Sequence, residues 1–121
     1  MKPEQPSAAD ILRGARERLA AHGAWLHESI DMAQSADGRG CEPRSEAAVR
    51  WDIHGAFVAA GASPRRDPAD EAWRLLVEAV HGEGWEDVLD WHEAPERTQA
   101  DVLAVLDTAL RVLAKRAGTL Q

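Results

Sequence analysis

Apolar residues recur at spacings of three and four along much of the chain, which is the pattern of helices that bury one face. The pattern covers five stretches: residues 8–22, 46–60, 68–81, 85–92 and 99–117. No stretch alternates between apolar and polar residues for long enough to indicate a long strand. The spacing therefore predicts an all-α fold, a compact single-domain bundle of about five helices.

Capping residues mark where three of these helices begin. Ser7 with Asp10, and Thr98 with Asp101, have the three-residue spacing of a capping box, in which each side chain accepts a hydrogen bond from the backbone of the other residue. Asp67 precedes a proline at the first helical position, which is also typical of a helix start. We expect all three to act as N-caps.

The stretch 46–60 is predicted to be the central helix, with Ser45 as its N-cap. Ile53 and Phe57 belong to its main apolar stripe, and Trp51 to a second stripe on nearly the opposite side. A helix that is apolar on two sides is usually packed by several neighbours. We therefore expect Ile53 and Phe57 to anchor the core.

Two parts of the chain lack this pattern. Residues 24–45 contain the turn signal Asp37-Gly38 and several other glycines, and are predicted to form an irregular connection or a short hairpin. Residues 1–6 are polar and are predicted to be disordered. A length of 121 residues fits one domain, so residues 1–121 are treated as one unit.

The negative charge of the chain is concentrated in residues 83–101, which we call the acidic segment. The chain carries a net charge of -7, and the acidic segment holds seven acidic residues against one basic residue, Arg97. Nucleic-acid binding needs a basic face, so no nucleic-acid partner is predicted. The segment also contains Trp85 and Trp91, and it predicts a surface for a protein partner or for a second copy of the chain.

The remaining composition bears on where the protein resides. Cys41 is the only cysteine, so no disulfide can form within the chain, as expected in a reducing compartment. The first residues, MKPEQPSAAD, form no apolar signal-peptide core, and no apolar run reaches the roughly 20 residues that span a bilayer. We expect a soluble cytoplasmic protein that does not bind a membrane.

Polar residues in the 46–60 stretch and in the turn at 90–97 predict a binding pocket between the two. The predicted binding residues are Arg50, Asp52, His54, Asp90, Trp91, His92, Glu93 and Arg97. Histidine can transfer a proton near neutral pH, and an adjacent carboxylate can orient it. In the structural alternative, Arg50 pairs with an acidic residue of the acidic segment and His54 lies at the rim. The sequence has no HExxH or CxxC motif, and no metal or cofactor is predicted.

Two segments carry a resemblance to a known family. AVRWDIHGAF and VLDWHEAPERTQADVLAVLDTAL resemble a small bacterial and phage-associated family of unknown function. That family pairs an R-W-C-A-x-G-A helix with a W-N-D-x-P-x-R-T turn. The matching residues are Arg50, Trp51, Gly55, Trp91, Pro95, Arg97 and Thr98. Asp52 stands where the family has cysteine, and His92-Glu93 where it has asparagine-aspartate. The resemblance implies a helical fold and supplies no function.

Two functional hypotheses follow. The first is a small interaction or regulatory module that presents the acidic segment to a protein partner. The second is a metal-independent enzyme or ligand-binding domain that uses the predicted pocket, and the sequence leaves open whether the protein is an enzyme. The position of His54 separates the two, because convergence with His92 in a cleft would favour the pocket.

Overall fold

The computed structural model describes residues 7–28, 31–61 and 68–119. Within them lie five helices and a two-stranded antiparallel sheet: α1 Ala8–Ala20, β1 Ala33–Ser35, β2 Ala48–Trp51, α2 Ile53–Ala59, α3 Pro68–Ala79, α4 Trp85–Glu93 and α5 Gln99–Thr119. The disorder predicted for residues 1–6 and the cap predicted at Asp67 lie outside the described residues. None of the described helices has the length and apolar character needed to cross a membrane.

The two predicted capping boxes are both present. The Ser7 Oγ accepts from the Asp10 backbone N–H at 3.1 Å, and the Asp10 carboxylate accepts from the Ser7 backbone N–H at 3.1 Å. Thr98 and Asp101 make the same exchange at the start of α5, at 3.1 Å and 3.0 Å. These caps satisfy backbone donors that the first turn of a helix leaves without an internal partner.

The predicted helix at 46–60 is wrong in its first half, which forms strand β2. The β-branched Val49 and the aromatic Trp51 favour a strand, and β2 pairs with β1 in an antiparallel register that places Arg50 opposite Gln34. The helix begins only after Asp52, whose carboxylate accepts from the Gly55 backbone N–H at 2.6 Å. Asp52, and not Ser45, is therefore the N-cap, and the fold is mostly helical instead of all-α.

The central helix is α1, and not the 46–60 stretch as predicted. α1 packs against α2, α3 and α5, whereas α2 spans only seven residues. The core lies between these helices, and its largest members are Ile11, Leu12, Leu19, Ile53, Phe57, Leu75, Leu76 and Leu106. The expected burial of Ile53 and Phe57 is confirmed, because both are fully buried. An ion pair between Arg16 and Asp107 also joins α1 to α5.

Gly55 allows β1 to start directly over the first turn of α2. A Cβ atom at Gly55 would lie 1.9 Å from the carbonyl oxygen of Met32, far inside contact distance. The same carbonyl accepts from the Asp52 backbone N–H at 3.1 Å. A side chain at position 55 is therefore incompatible with the way the 31–33 backbone passes over α2, and this contact fixes the direction of α2.

Candidate functional site

The residues of the predicted pocket lie in separate places. Arg50 is on β2 and donates from Nη1 to the Ser35 carbonyl oxygen at 2.9 Å. Asp52 is buried and caps α2. His54 is on α2, and its ring neighbours are on α3 and α4. The other five residues follow one another along α4 and the turn after it. Arg50 and His54 therefore do not share a helix face.

His92 lies in a set of side chains that we call the closed cluster: Trp25, His27, Trp91, His92 and Arg97. The imidazole is fully buried, and Trp25 Nε1 donates to His92 Nε2 at 2.7 Å. Because Nε2 accepts this bond, the neutral ring carries its proton on Nδ1. Nδ1 is also buried, and it has no hydrogen-bond partner among the described residues.

The closed cluster keeps His92 neutral. Burial lowers the pKa of His92 to about 4, and electrostatic interactions with His27 and Arg97 act in the same direction. His27 Nε2 lies 2.8 Å from the Ala94 carbonyl oxygen, to which it donates. His92 is therefore a neutral imidazole without an exposed atom, enclosed by its own chain. This arrangement suits packing better than proton transfer to a bound substrate.

Arg97, the one basic residue of the acidic segment, is held in place within its own turn. Its guanidinium lies 4.1 Å from the centre of the Trp91 ring, and its Nε donates to the Trp91 carbonyl oxygen at 2.7 Å. Its Nη1 lies 3.9 Å from a carboxylate oxygen of Asp101. The stacking on Trp91 is a cation–π contact. These contacts link the end of α4 to the start of α5.

The second histidine lies in what we call the open cluster: His54, Phe57, Trp73 and Trp85. The His54 ring is 5.6 Å from the Trp73 ring and 6.1 Å from the Trp85 ring, measured between centroids. Phe57 packs against the other side of this group, 4.3 Å from the Trp73 ring. Burial lowers the pKa of His54, so the ring is neutral at pH 7. Trp85 is 50% exposed.

A cavity of about 420 Å³, which we call the groove, opens between α3 and the start of α4. Its lining residues are Trp73, Arg74, Val77, Glu78, Glu83, Gly84 and Trp85. None of the residues predicted for the pocket is among them. The groove could not be predicted from the sequence, because its walls come from α3 and from the start of α4 and it exists only where the two meet.

His54 and His92 lie near opposite ends of α4. His54 contacts Trp85 in the first turn, and His92 lies seven residues further along, which is about 10 Å along the helix axis. Each histidine ring has its own aromatic neighbours, on different elements of the fold. The two histidines are therefore in separate clusters.

Four carboxylates of the acidic segment form an exposed surface that we call the acidic face: Glu86, Asp90, Glu93 and Glu96. The first three are spaced by four and three residues on α4, so they lie along one side of that helix. All four residues are exposed, and none forms an ion pair with another described residue. The acidic face is therefore turned toward solvent.

The other acidic residues of the segment have local roles or positions. Asp87 accepts backbone hydrogen bonds from Glu83 and Gly84, which lower its pKa and cap α4. Asp101 caps α5 together with Thr98. Glu83 lines the groove. Among the described residues, no three His, Cys, Asp or Glu side chains are placed so that they could hold a metal ion.

The fold and its sites define a small, mostly helical domain. Its acidic helix, α4, has the open cluster near its start and the closed cluster near its end. The chain belongs to a family of unknown function (DUF6197), whose model matches residues 3–112. The family membership inferred from the sequence is therefore confirmed. No curated protein and no solved structure matches the chain.

Proposed function

We propose that the chain is a small interaction module that binds a basic segment of a protein partner on the acidic face. The observation that carries this proposal is that Glu86, Asp90, Glu93 and Glu96 are exposed and form no ion pair with any cation among residues 7–28, 31–61 and 68–119. Arg97, the only basic residue of the acidic segment, is engaged by Trp91 and Asp101 instead.

The acidic face reduces the stability of the isolated domain. Like charges four residues apart on a helix, such as Glu86 and Asp90, destabilise it by about 0.2–0.5 kcal/mol per pair. Asp90 and Glu93 also lie near the C-terminal end of α4, where the helix dipole disfavours negative charge. Glu86 lies in the first turn of α4, where the helix dipole favours a negative charge, so the unfavourable dipole effect is confined to Asp90 and Glu93. A basic partner would relieve this effect and the repulsion between like charges on binding.

An apolar strip lies beside the acidic face. Trp85 and Leu89 are four residues apart on α4, adjacent to the side that carries Glu86 and Asp90. Trp85 is half exposed and Leu89 is partly buried against the core. An interface that combines an aromatic residue with charged surroundings has the composition of many protein–protein contacts.

The alternative, an enzyme or ligand-binding domain with a pocket between helix 46–60 and the 90–97 turn, has less support. His92 is buried in the closed cluster, and His54 belongs to the open cluster. Without convergence of the two histidines, the candidate proton-transfer groups lack a common substrate position.

The test removes the charges of the acidic face and leaves the caps intact. The variant Glu86→Gln, Asp90→Asn, Glu93→Gln, Glu96→Gln omits Asp87, because that residue caps α4. A matched control neutralises four exposed acidic residues elsewhere: Glu17→Gln, Glu28→Gln, Glu42→Gln and Glu46→Gln. Both variants change the net charge equally, so any difference between them reports on location.

Binding is measured by calorimetric titration with a short arginine-rich peptide at low and at moderate salt. We expect the acidic-face variant to bind at least tenfold more weakly than the control variant and to lose most of the salt dependence. Its melting temperature should stay constant or rise at low salt, because self-repulsion is removed. Equal binding by both variants would reject the acidic face as the binding surface. A lower melting temperature of the acidic-face variant would assign these carboxylates a structural role. Self-association of the chain would appear as a molar mass in solution that rises with protein concentration.

A further inference from the structure

We infer that the groove between α3 and α4 receives an arginine side chain of the same basic partner, with its guanidinium stacked on Trp85 and paired with Glu83. This inference rests on the proposed function, which supplies a basic partner at α4. It adds a defined subsite to a surface that would otherwise act through charge alone.

Trp85 provides the stacking surface. Its side chain is 50% exposed, and its indole forms part of the groove wall next to Trp73. The His54 ring packs against the rings of both Trp85 and Trp73. Tryptophan is the aromatic side chain that a cation favours in a cation–π contact, and the exposed indole of Trp85 is accessible for one.

Glu83 provides the opposite charge. The groove contains two carboxylates, but Glu78 is already paired with Arg116 at 2.8 Å. Glu83 is exposed, and its side chain forms no hydrogen bond or ion pair with another described residue. It lies two residues before Trp85 in the same turn, whereas Arg74, the basic residue of the groove, belongs to α3. The Glu83 side of the groove is therefore where a cation is favoured.

Arginine fits these two groups better than lysine. The guanidinium is planar and can lie flat on an indole while its N–H groups donate to a carboxylate. The ammonium of lysine is a compact, strongly hydrated charge that loses more on leaving water. Arg97 on Trp91 already makes such a stack in this chain, with its guanidinium 4.1 Å from the ring centre. The groove thus predicts a preference between two peptides of equal charge.

The experiment compares an arginine-rich and a lysine-rich peptide of the same length and charge, titrated calorimetrically into the whole chain. The unmodified protein should bind the arginine peptide about two- to fivefold more tightly, the range expected for an exposed cation–π contact. Trp85→Leu should remove this preference and keep the salt-sensitive binding of both peptides. Glu83→Gln should reduce the preference. Two control variants, Val49→Thr and Glu42→Gln, alter an exposed apolar residue and an exposed carboxylate away from the groove. Both should leave the preference for the arginine peptide unchanged.

The outcomes separate this inference from the proposed function. Equal affinity for both peptides in the unmodified protein, or a preference that survives Trp85→Leu, overturns the groove as an arginine subsite and leaves the acidic face standing. Binding of neither peptide overturns both. Thermal melts of Trp85→Leu accompany the titrations, and we expect a melting temperature close to that of the unmodified protein because the indole is half exposed.

Discussion

A histidine with tryptophan neighbours lies at each end of α4, His92 on the helix itself and His54 packed against it from α2, yet the surroundings of these two histidines differ. In the closed cluster, His92 is fully buried and accepts a hydrogen bond from Trp25. In the open cluster, His54 is packed between Trp73 and Trp85, and Trp85 faces the groove. The same residue types therefore serve packing at one end and leave an exposed aromatic surface at the other.

Solvent access decides what such a cluster can do. A buried imidazole with a strongly lowered pKa cannot exchange protons with a ligand near neutral pH, whatever its neighbours in the sequence. An exposed indole next to unpaired carboxylates can contact a partner without any rearrangement of the fold. The following predictions test this division, beginning with the contact that orients His54.

Gly55→Ala should produce the largest effect, because it displaces α2 and with it the open cluster. The new methyl group would lie 1.9 Å from the Met32 carbonyl oxygen, and a backbone atom has to move to relieve that overlap. We expect a loss of more than about 4 kcal/mol in the free energy of unfolding, or failure to fold. Gly84→Ala is the control, since a Cβ at Gly84 meets no atom within 4 Å. Similar denaturation curves for both variants would contradict the close approach.

Phe57→Ala should remove the inner support of the open cluster. Phe57 is fully buried and packs 4.3 Å from the Trp73 ring, so its truncation should cost about 3–5 kcal/mol. Trp85→Leu, on the outer side of the same cluster, should cost less than about 1 kcal/mol. Chemical denaturation of both variants measures the difference. A loss well below 1 kcal/mol for Phe57→Ala would refute its role as a core anchor.

The helices were predictable from sequence wherever a local signal marks them. The Ser7 and Thr98 caps placed the starts of α1 and α5 correctly. The β2 strand was missed because its pairing is long-range: Trp51 bonds to the backbone of residues 24–26, and β2 faces β1 across a loop. Apolar residues do recur at helical spacing in residues 46–60, but only the second half of this stretch forms a helix. Tertiary pairing overrode the local pattern.

The candidate site was less predictable, because it depends on which side of each helix meets a neighbour. The sequence located the concentration of acidic residues, but it did not show which carboxylates cap a helix. Asp87 caps α4 and was not predicted to do so. It named His54 and His92, and it had no means of assigning them to separate clusters. That assignment follows from the packing of α3 against α4, and periodicity within one helix does not contain this information.

His92 should make the stability of the fold depend on pH in a defined window. Its pKa falls from the ordinary 6.5 to about 4 in the folded chain, so the unfolded chain binds the extra proton first as the pH is lowered. The contribution is fully present above pH 6.5 and is lost progressively toward pH 4, by about 3 kcal/mol in total. His92→Gln retains an oxygen that can accept from Trp25 and removes the titrating group. Its unfolding free energy should vary less between pH 7 and pH 4.

Denaturation at constant ionic strength across this range provides the measurement, and His54→Gln gives the comparison within the same experiment. Burial also lowers the pKa of His54, so the sign of its contribution is the same. We expect the His92 substitution to flatten the pH dependence more, because His92 is the more deeply enclosed ring. An unchanged pH dependence in His92→Gln would show that the closed cluster does not hold a neutral imidazole.

The smallest expected effect concerns His81, which lies outside both clusters, between the end of α3 and the groove. His81 has a φ of 60°, in the left-handed region, where residues with a side chain are strained. The two backbone bonds at this end, from His81 N–H to the Glu78 carbonyl and from Gly82 N–H to the Val77 carbonyl, form the helix termination that usually has glycine at position 81. His81→Gly should therefore stabilise the fold by up to about 1 kcal/mol, after the larger backbone entropy of glycine in the unfolded chain is subtracted.

Gly23→Ala tests the same principle in the opposite direction, because it puts a side chain at a position with positive φ. Gly23 has a φ of 73° and open space around it, so this substitution should destabilise the fold by a similar amount. If His81→Gly instead destabilised the protein in thermal melts, the His81 imidazole would have to make a stabilising contact near the start of α4, and the open end would then depend on His81 as well as on His54.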